Sequence, residues 1–131
     1  MKKLLVVDND VDGLEAMQLL LSVSGYKVKT ATSYKSLLNI VYSFQPDMVI
    51  MDVMLSGEDG RNICKDLKED VLTSNLCILL ISGSPLNLID YSSYQADGCL
   101  EKPFDQDTLC SKIEGLLAKN PLSQPNKSSM S

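Results

Sequence analysis

Four polar residues stand at or just past the ends of short apolar runs. Asp8 follows residues 4–7, Asp52 follows residues 48–51, Ser82 follows residues 77–81, and Lys102 comes soon after residues 98–100. Asp52 most needs explaining, because a carboxylate closing a doubly buried strand is costly to hold without a partner cation or hydrogen bonds. Alone it reads equally well as a strand-ending Asx turn, since Ser56-Gly57-Glu58-Asp59-Gly60 follows. In company it reads as chemistry. Asp8 and Asp52, with the amide of Asn9 and strand-end carbonyls, offer hard oxygen ligands that suit magnesium, which keeps several waters and takes one or two carboxylates. A lysine serves as a point charge on phosphate, and a serine hydroxyl donates to its oxygens. A carboxylate set beside a cation and a lysine can attack phosphorus and form an aspartyl phosphate. In-line transfer of this kind needs mainly positioning and charge neutralisation.

The elements that must position these residues alternate along the chain. Residues 4–7, 48–51 and 77–81 are unbroken apolar runs, long enough for buried strands and too short for helices. Residues 27–31 alternate polar and apolar, as a strand nearer a sheet edge does, and residues 98–100 suggest a short fifth strand. Between them, Val11, Leu14, Met17 and Leu21 recur at helical spacing, with Asp10 as N-cap and Gly25 as stop. Tyr34, Leu37, Leu38 and Val41 mark a second helix, Ile63 and Leu67 a third over residues 60–70, and residues 86–94 a weak fourth. Leu109, Ile113, Leu116 and Leu117 give the clearest helix of all. Five strands alternating with five helices imply an α/β doubly wound parallel sheet with helices on both faces. Such sheets place their functional crevice outside the carboxyl ends of the strands. The fold therefore gathers Asp8, Asp52, Ser82 and Lys102 on one rim.

Composition bounds the function classes. The 131 residues suggest one domain, and 44% apolar with 22% charged residues is ordinary for a globular chain. A net charge of -5, with no Lys/Arg cluster beyond a pair, argues against a nucleic-acid footprint. No apolar run approaches a membrane span, and the four apolar residues before Asp8 are too few for a signal-peptide core, so a cytoplasmic location is expected. The absence of histidine excludes a Ser-His-Asp triad and a phosphohistidine carrier role. Cys64, Cys77, Cys99 and Cys110 form no Cys-x-x-Cys pair and read as small hydrophobes. After Lys119 the composition turns to Asn, Pro, Ser and Gln, so residues 1–119 read as the domain and 120–131 as a polar tail or truncated linker. No second output domain is expected after Lys119.

In this order and spacing, Val6-Val7-Asp8-Asn9-Asp10, Pro46-Asp47 through Asp52 to Gly60, Ile81-Ser82-Gly83 and Lys102-Pro103-Phe104 make the chain resemble a response-regulator receiver domain of two-component signalling. The likeness spans about residues 3 to 119 and implies a flavodoxin-like strand order 2-1-3-4-5. It implies that Asp52 is the phosphoacceptor, that Ser82 bonds the phosphoryl group, and that Lys102 salt-bridges Asp52 or its phosphate. The implied Mg2+ ligands are Asp8, Asn9, Asp52 and the carbonyl of Met54. The Lys102-Pro103 peptide is typically cis in this family. Phosphoryl donors would be a sensor histidine kinase or a histidine phosphotransfer protein, and the protein would be a monomer or weak homodimer.

Several positions depart from the family pattern. Asn9 stands where a second acidic residue is usual, so the site loses one negative charge and weaker magnesium binding is expected. Cys99 replaces the aromatic residue that usually switches rotamer with Ser82. The segment from Ser82 to Lys102 is short, which predicts a stunted fourth helix, and Ser56 replaces a proline. Two functions compete: a phosphoacceptor switch of a phosphorelay, self-phosphorylating but not a turnover enzyme, and a degenerate receiver that binds partners independently of phosphate. Flavodoxin-type flavin binding is disfavoured because Asp8-Asn9-Asp10 would repel the phosphate. A dehalogenase-type phosphatase would need an aspartate where Met54 stands.

Overall fold

The structure, a computed structural model, describes residues 1–119. The chain runs β1 (Lys3–Val7), α1 (Val11–Val23), β2 (Lys27–Ala31), α2 (Tyr34–Phe44), β3 (Met48–Asp52), β4 (Met54–Leu55), β5 (Glu58–Asp59), α3 (Gly60–Glu69), β6 (Cys77–Ser82), β7 (Gly98–Glu101) and α4 (Gln106–Lys119). Five strands form one parallel sheet in the order β2-β1-β3-β6-β7, while β4 and β5 make a separate antiparallel hairpin. Counting only the sheet strands, this is the expected 2-1-3-4-5 order.

The apolar runs are uninterrupted because β1, β3 and β6 are covered on both faces. Leu5, Val7, Val49, Met51, Ile78 and Leu80 meet α2 and α3 through Leu37, Val41, Ile63 and Leu67. The alternate residues Leu4, Val6, Met48, Ile50, Leu79 and Ile81 meet α1 and α4 through Leu14, Leu21, Leu109, Ile113 and Leu117. Period-2 alternation on a central strand thus feeds two cores. The central strands β3 and β6 are buried along their whole length, and the residues at their carboxyl ends are buried with them.

Local details correct the sequence expectations. Among the described residues there are four α-helices, not five. Residues 85–87 and 91–94 form two short 3₁₀ turns instead of a fourth helix. Pro85 at the start of the first turn lacks an N–H, Ser92 and Ser93 compete with the backbone, and Leu86 and Ile89 face solvent, so no apolar stripe sustains a helix. Asp10 occupies the N-cap position, but its side chain makes no capping bond; its own N–H donates to Asp8 Oδ1 at 3.1 Å. Val11, expected on the buried stripe, is exposed. Gly25 ends α1 as expected, with φ of +102°. The tail over residues 120–131 lies outside the described residues.

Candidate functional site: an acidic pocket bridged by lysine

Asp8 directly follows β1, Asp52 ends β3, Ser82 ends β6 and Lys102 follows β7. All four therefore stand at the carboxyl edge of the sheet. Asp8, Asp52 and Ser82 are buried, at 8%, 6% and 0% exposure. Burial of this kind demands partners, and the chain provides them. Lys102 Nζ donates to Asp52 Oδ2 and, at 3.3 Å, to Asp8 Oδ2. The other Asp52 oxygen accepts the Met54 N–H at 2.8 Å, and Asp8 Oδ1 accepts the Asp10 N–H. Burial raises the carboxyl pKa of Asp8 and the neighbouring Asp52 charge adds to this, outweighing the backbone bond from Asp10 and the ammonium of Lys102. Burial alone would lower the Lys102 pKa. Its hydrogen bond to Asp52, and the charges of Asp52 and Asp8, hold it above the ordinary value instead.

The backbone behind Lys102 is as closely fixed. Its N–H donates to Ser82 O at 2.8 Å, extending the β6–β7 ladder by one bond, and the Lys102-Pro103 peptide is cis, as the resemblance implied. Ser82 lies one residue past Ile81, the register partner of Asp52. Its hydroxyl oxygen accepts from Ser84 N at 3.1 Å and from Asn87 Nδ2 at 3.4 Å. Both bonds use oxygen lone pairs, which leaves the hydroxyl proton for an acceptor in the pocket. Cys99, half-buried on β7, packs against the core shared with Leu88, Tyr91 and Ala96, so no aromatic ring stands at that position.

Asn9 sits at the exposed rim of the same pocket. One terminal atom of its amide lies 3.2 Å from the Met54 carbonyl oxygen and 3.3 Å from Asp8 Oδ1. Both neighbours are acceptors, so that atom is the amide nitrogen, donating to each. The Met54 carbonyl and the Asp8 carboxylate thus converge on one point, with Asp52 across the pocket. This all-oxygen donor set fits a small hard cation that keeps several waters. Among the described residues no group of three or more His, Cys, Asp or Glu is placed to hold a metal.

Gly60 is a site residue whose role the sequence does not display. A Cβ there would lie 2.2 Å from the carbonyl oxygen of Asp52 and 3.1 Å from Val53 Cα. The Gly60 N–H donates to Val53 O at 2.8 Å, so the loop after Asp52 folds back on the strand end. The Asn87 bond to Ser82 was equally hidden, because nothing in a Pro-Leu-Asn run signals a partner five residues upstream. On the far side of Asp8, a shallow cleft between α1 and Phe104 is lined by Asp10, Gly13, Met17 and Leu20.

An open α/β sheet with a lysine-bridged pair of carboxylates and a serine at its carboxyl edge defines the class. The response regulator receiver domain model matches residues 4–114, and the chain belongs to that family: it is a receiver domain of the two-component response regulators. It is 28% identical over 125 residues to the alkaline phosphatase synthesis transcriptional regulatory protein PhoP of Bacillus subtilis, covering 95% of this chain and 52% of PhoP. The chain spans about half the length of the curated relatives it matches. Among solved structures it resembles a response regulator receiver domain protein of Clostridium thermocellum (TM-score 0.84, 25% identity, 95% of this chain and 100% of that one). It also resembles the response regulator TrrA of Thermotoga maritima, crystallised with Mg2+ and BeF (TM-score 0.80, 28% identity, 88% and 99% coverage). No described helix is long and apolar enough to cross a membrane.

Proposed function

We propose that this chain is the phosphoacceptor switch of a two-component phosphorelay, taking a phosphoryl group from a histidine kinase or histidine phosphotransfer protein onto Asp52. The observation that carries the reading is the three-way contact of Lys102 with Asp52 and Asp8 at the strand ends. A structural ion pair needs one carboxylate. Two buried carboxylates sharing one lysine leave negative charge over, which calls for a further cation. A magnesium ion held by Asp8, Asp52 and the Met54 carbonyl, with Asn9 at the rim, would neutralise charge on the phosphoryl oxygens.

An Asp52 carboxylate oxygen forms the new bond to phosphorus as the donor's phosphorus–nitrogen bond breaks, and the electron pair leaves on the imidazole nitrogen. Lys102, already hydrogen-bonded to Asp52, follows the charge onto the phosphoryl oxygens. The Ser82 hydroxyl donates its proton to one of those oxygens. Because Ser82 also accepts from Ser84 and Asn87, its movement pulls on the 3₁₀ turns over residues 85–94, where Leu86 and Ile89 are exposed. That surface is the proposed output face, reached without an aromatic switch at Cys99. The acidity of the chain disfavours direct contact between this unit and nucleic acid.

The reading is tested by treating the protein with a small-molecule phosphodonor and Mg2+, reducing with borohydride, and mapping peptides. Homoserine at position 52 is expected. Modification elsewhere, or at no aspartate, counts against it. The alternative of a phosphate-independent binding module, favoured by the Asn9 amide, predicts no modification.

A further inference from the structure

The Asn9 amide does more than replace a carboxylate. With the amide orientation assigned from its neighbours, its nitrogen faces the Met54 carbonyl at 3.2 Å and Asp8 Oδ1 at 3.3 Å and donates to each. Those are two of the oxygens that the proposed function assigns to the cation, and this inference rests on that reading. A hydrogen-bond donor and a cation make the same demand on an oxygen lone pair, so the amide stands in for part of the cation's role. We propose that Asn9 is a donor lock: in the metal-free protein its NH2 group closes the cradle, and a divalent cation enters only when both bonds break and the amide turns away or presents its oxygen.

Simple charge loss at position 9 and the donor lock separate cleanly by sign. If Asn9 is only a weakened ligand, removing its side chain removes a ligand, and the affinity falls. If it is a lock, removal opens the cradle to water, which magnesium accepts readily in its shell. Each broken hydrogen bond of ordinary strength corresponds to roughly twofold to tenfold in affinity. Two such bonds must break, so the lock predicts that Asn9→Ala binds Mg2+ more tightly than the parent, by roughly fourfold to a hundredfold.

The experiment is a Mg2+ titration of the full chain, parent and Asn9→Ala, by calorimetry and by 15N–1H spectra, with Asn9→Asp as the charge-restored reference. A Kd for Asn9→Ala lowered by about twofold or more supports the lock, and an equal or raised Kd overturns it. In the parent, the Asn9 side-chain NH2 pair should shift and exchange faster with solvent as Mg2+ is added. An unmoved pair beside shifting Met54 and Asp8 signals would overturn the proposal even if Asn9→Ala did not fold. Failure of all three proteins, Asn9→Asp included, to bind Mg2+ would instead overturn the cation site of the proposed function, and the lock with it.

Discussion

Replacing Gly60 by alanine should damage both the fold and the site. The new Cβ would sit 2.2 Å from Asp52 O, with Asp52 C and Val53 Cα each at 3.1 Å, and every one of these atoms is backbone. No rotamer can yield, so the loop and the end of β3 must part by close to an ångström, at the cost of the Gly60 N–H bond to Val53 O. Overpacking against an unyielding wall costs about 2–4 kcal/mol. For a domain of this size that lowers Tm by roughly 8–15 °C. Gly115→Ala is the matched control. It lies within α4 with nothing inside 4 Å of its Cβ position, so the same substitution should stabilise by about 0.5–1 kcal/mol through helix propensity. Thermal unfolding followed by circular dichroism reads both. A Gly60→Ala protein melting within a degree or two of the parent would refute the close-approach argument.

Other consequences follow from single contacts. Thr73 is buried and its hydroxyl donates to Leu67 O at 2.6 Å at the end of α3, so Thr73→Val should cost about 1–2 kcal/mol in urea unfolding. The Arg61 guanidinium, bonded to Asp59, holds that carboxyl below its ordinary value of 3.8. A depressed carboxyl stabilises the fold above the unfolded value and loses that contribution as pH falls through the folded one. Asp59→Asn keeps the α3 N-cap but not the charge, so it should destabilise slightly at pH 7, by about 0.5 kcal/mol, and the difference should vanish in acid. Unfolding curves from pH 7 to pH 2 would check this. Burial pushes the thiols of Cys64 and Cys77 up to about 12, so at pH 8 iodoacetamide should label Cys99 and Cys110 first, and label the buried pair only on unfolding.

Much of the architecture is legible in the sequence because three central strands are buried on both faces. An unbroken run such as residues 77–81 has few other homes. The site is legible for the same reason, since a charge such as Asp52 ending such a run stands out against it. What is not legible depends on contacts rather than pattern. The β4–β5 hairpin has two residues per strand, with Met54 exposed, too short for any period. Asp10 has the right residue type for a side-chain cap, yet makes no such bond. Val11 fits the helical stripe of α1 but lies in its first turn, at the rim beyond the core. Arg61 spans from Asp59 to the ring of Tyr94, tying the loop after Asp52 to the turns that replace a helix. That tie joins residues 33 positions apart and has no local signature.

The central claim is phosphoryl transfer onto Asp52 in a pocket completed by a cation. The most direct measurement is the intact mass of the protein after incubation with a small-molecule phosphodonor, with and without Mg2+, beside Asp52→Ala. One added phosphoryl group that requires both Mg2+ and Asp52 is the predicted result. An unmodified protein under conditions that label an ordinary receiver, or an adduct that survives Asp52→Ala, would contradict it.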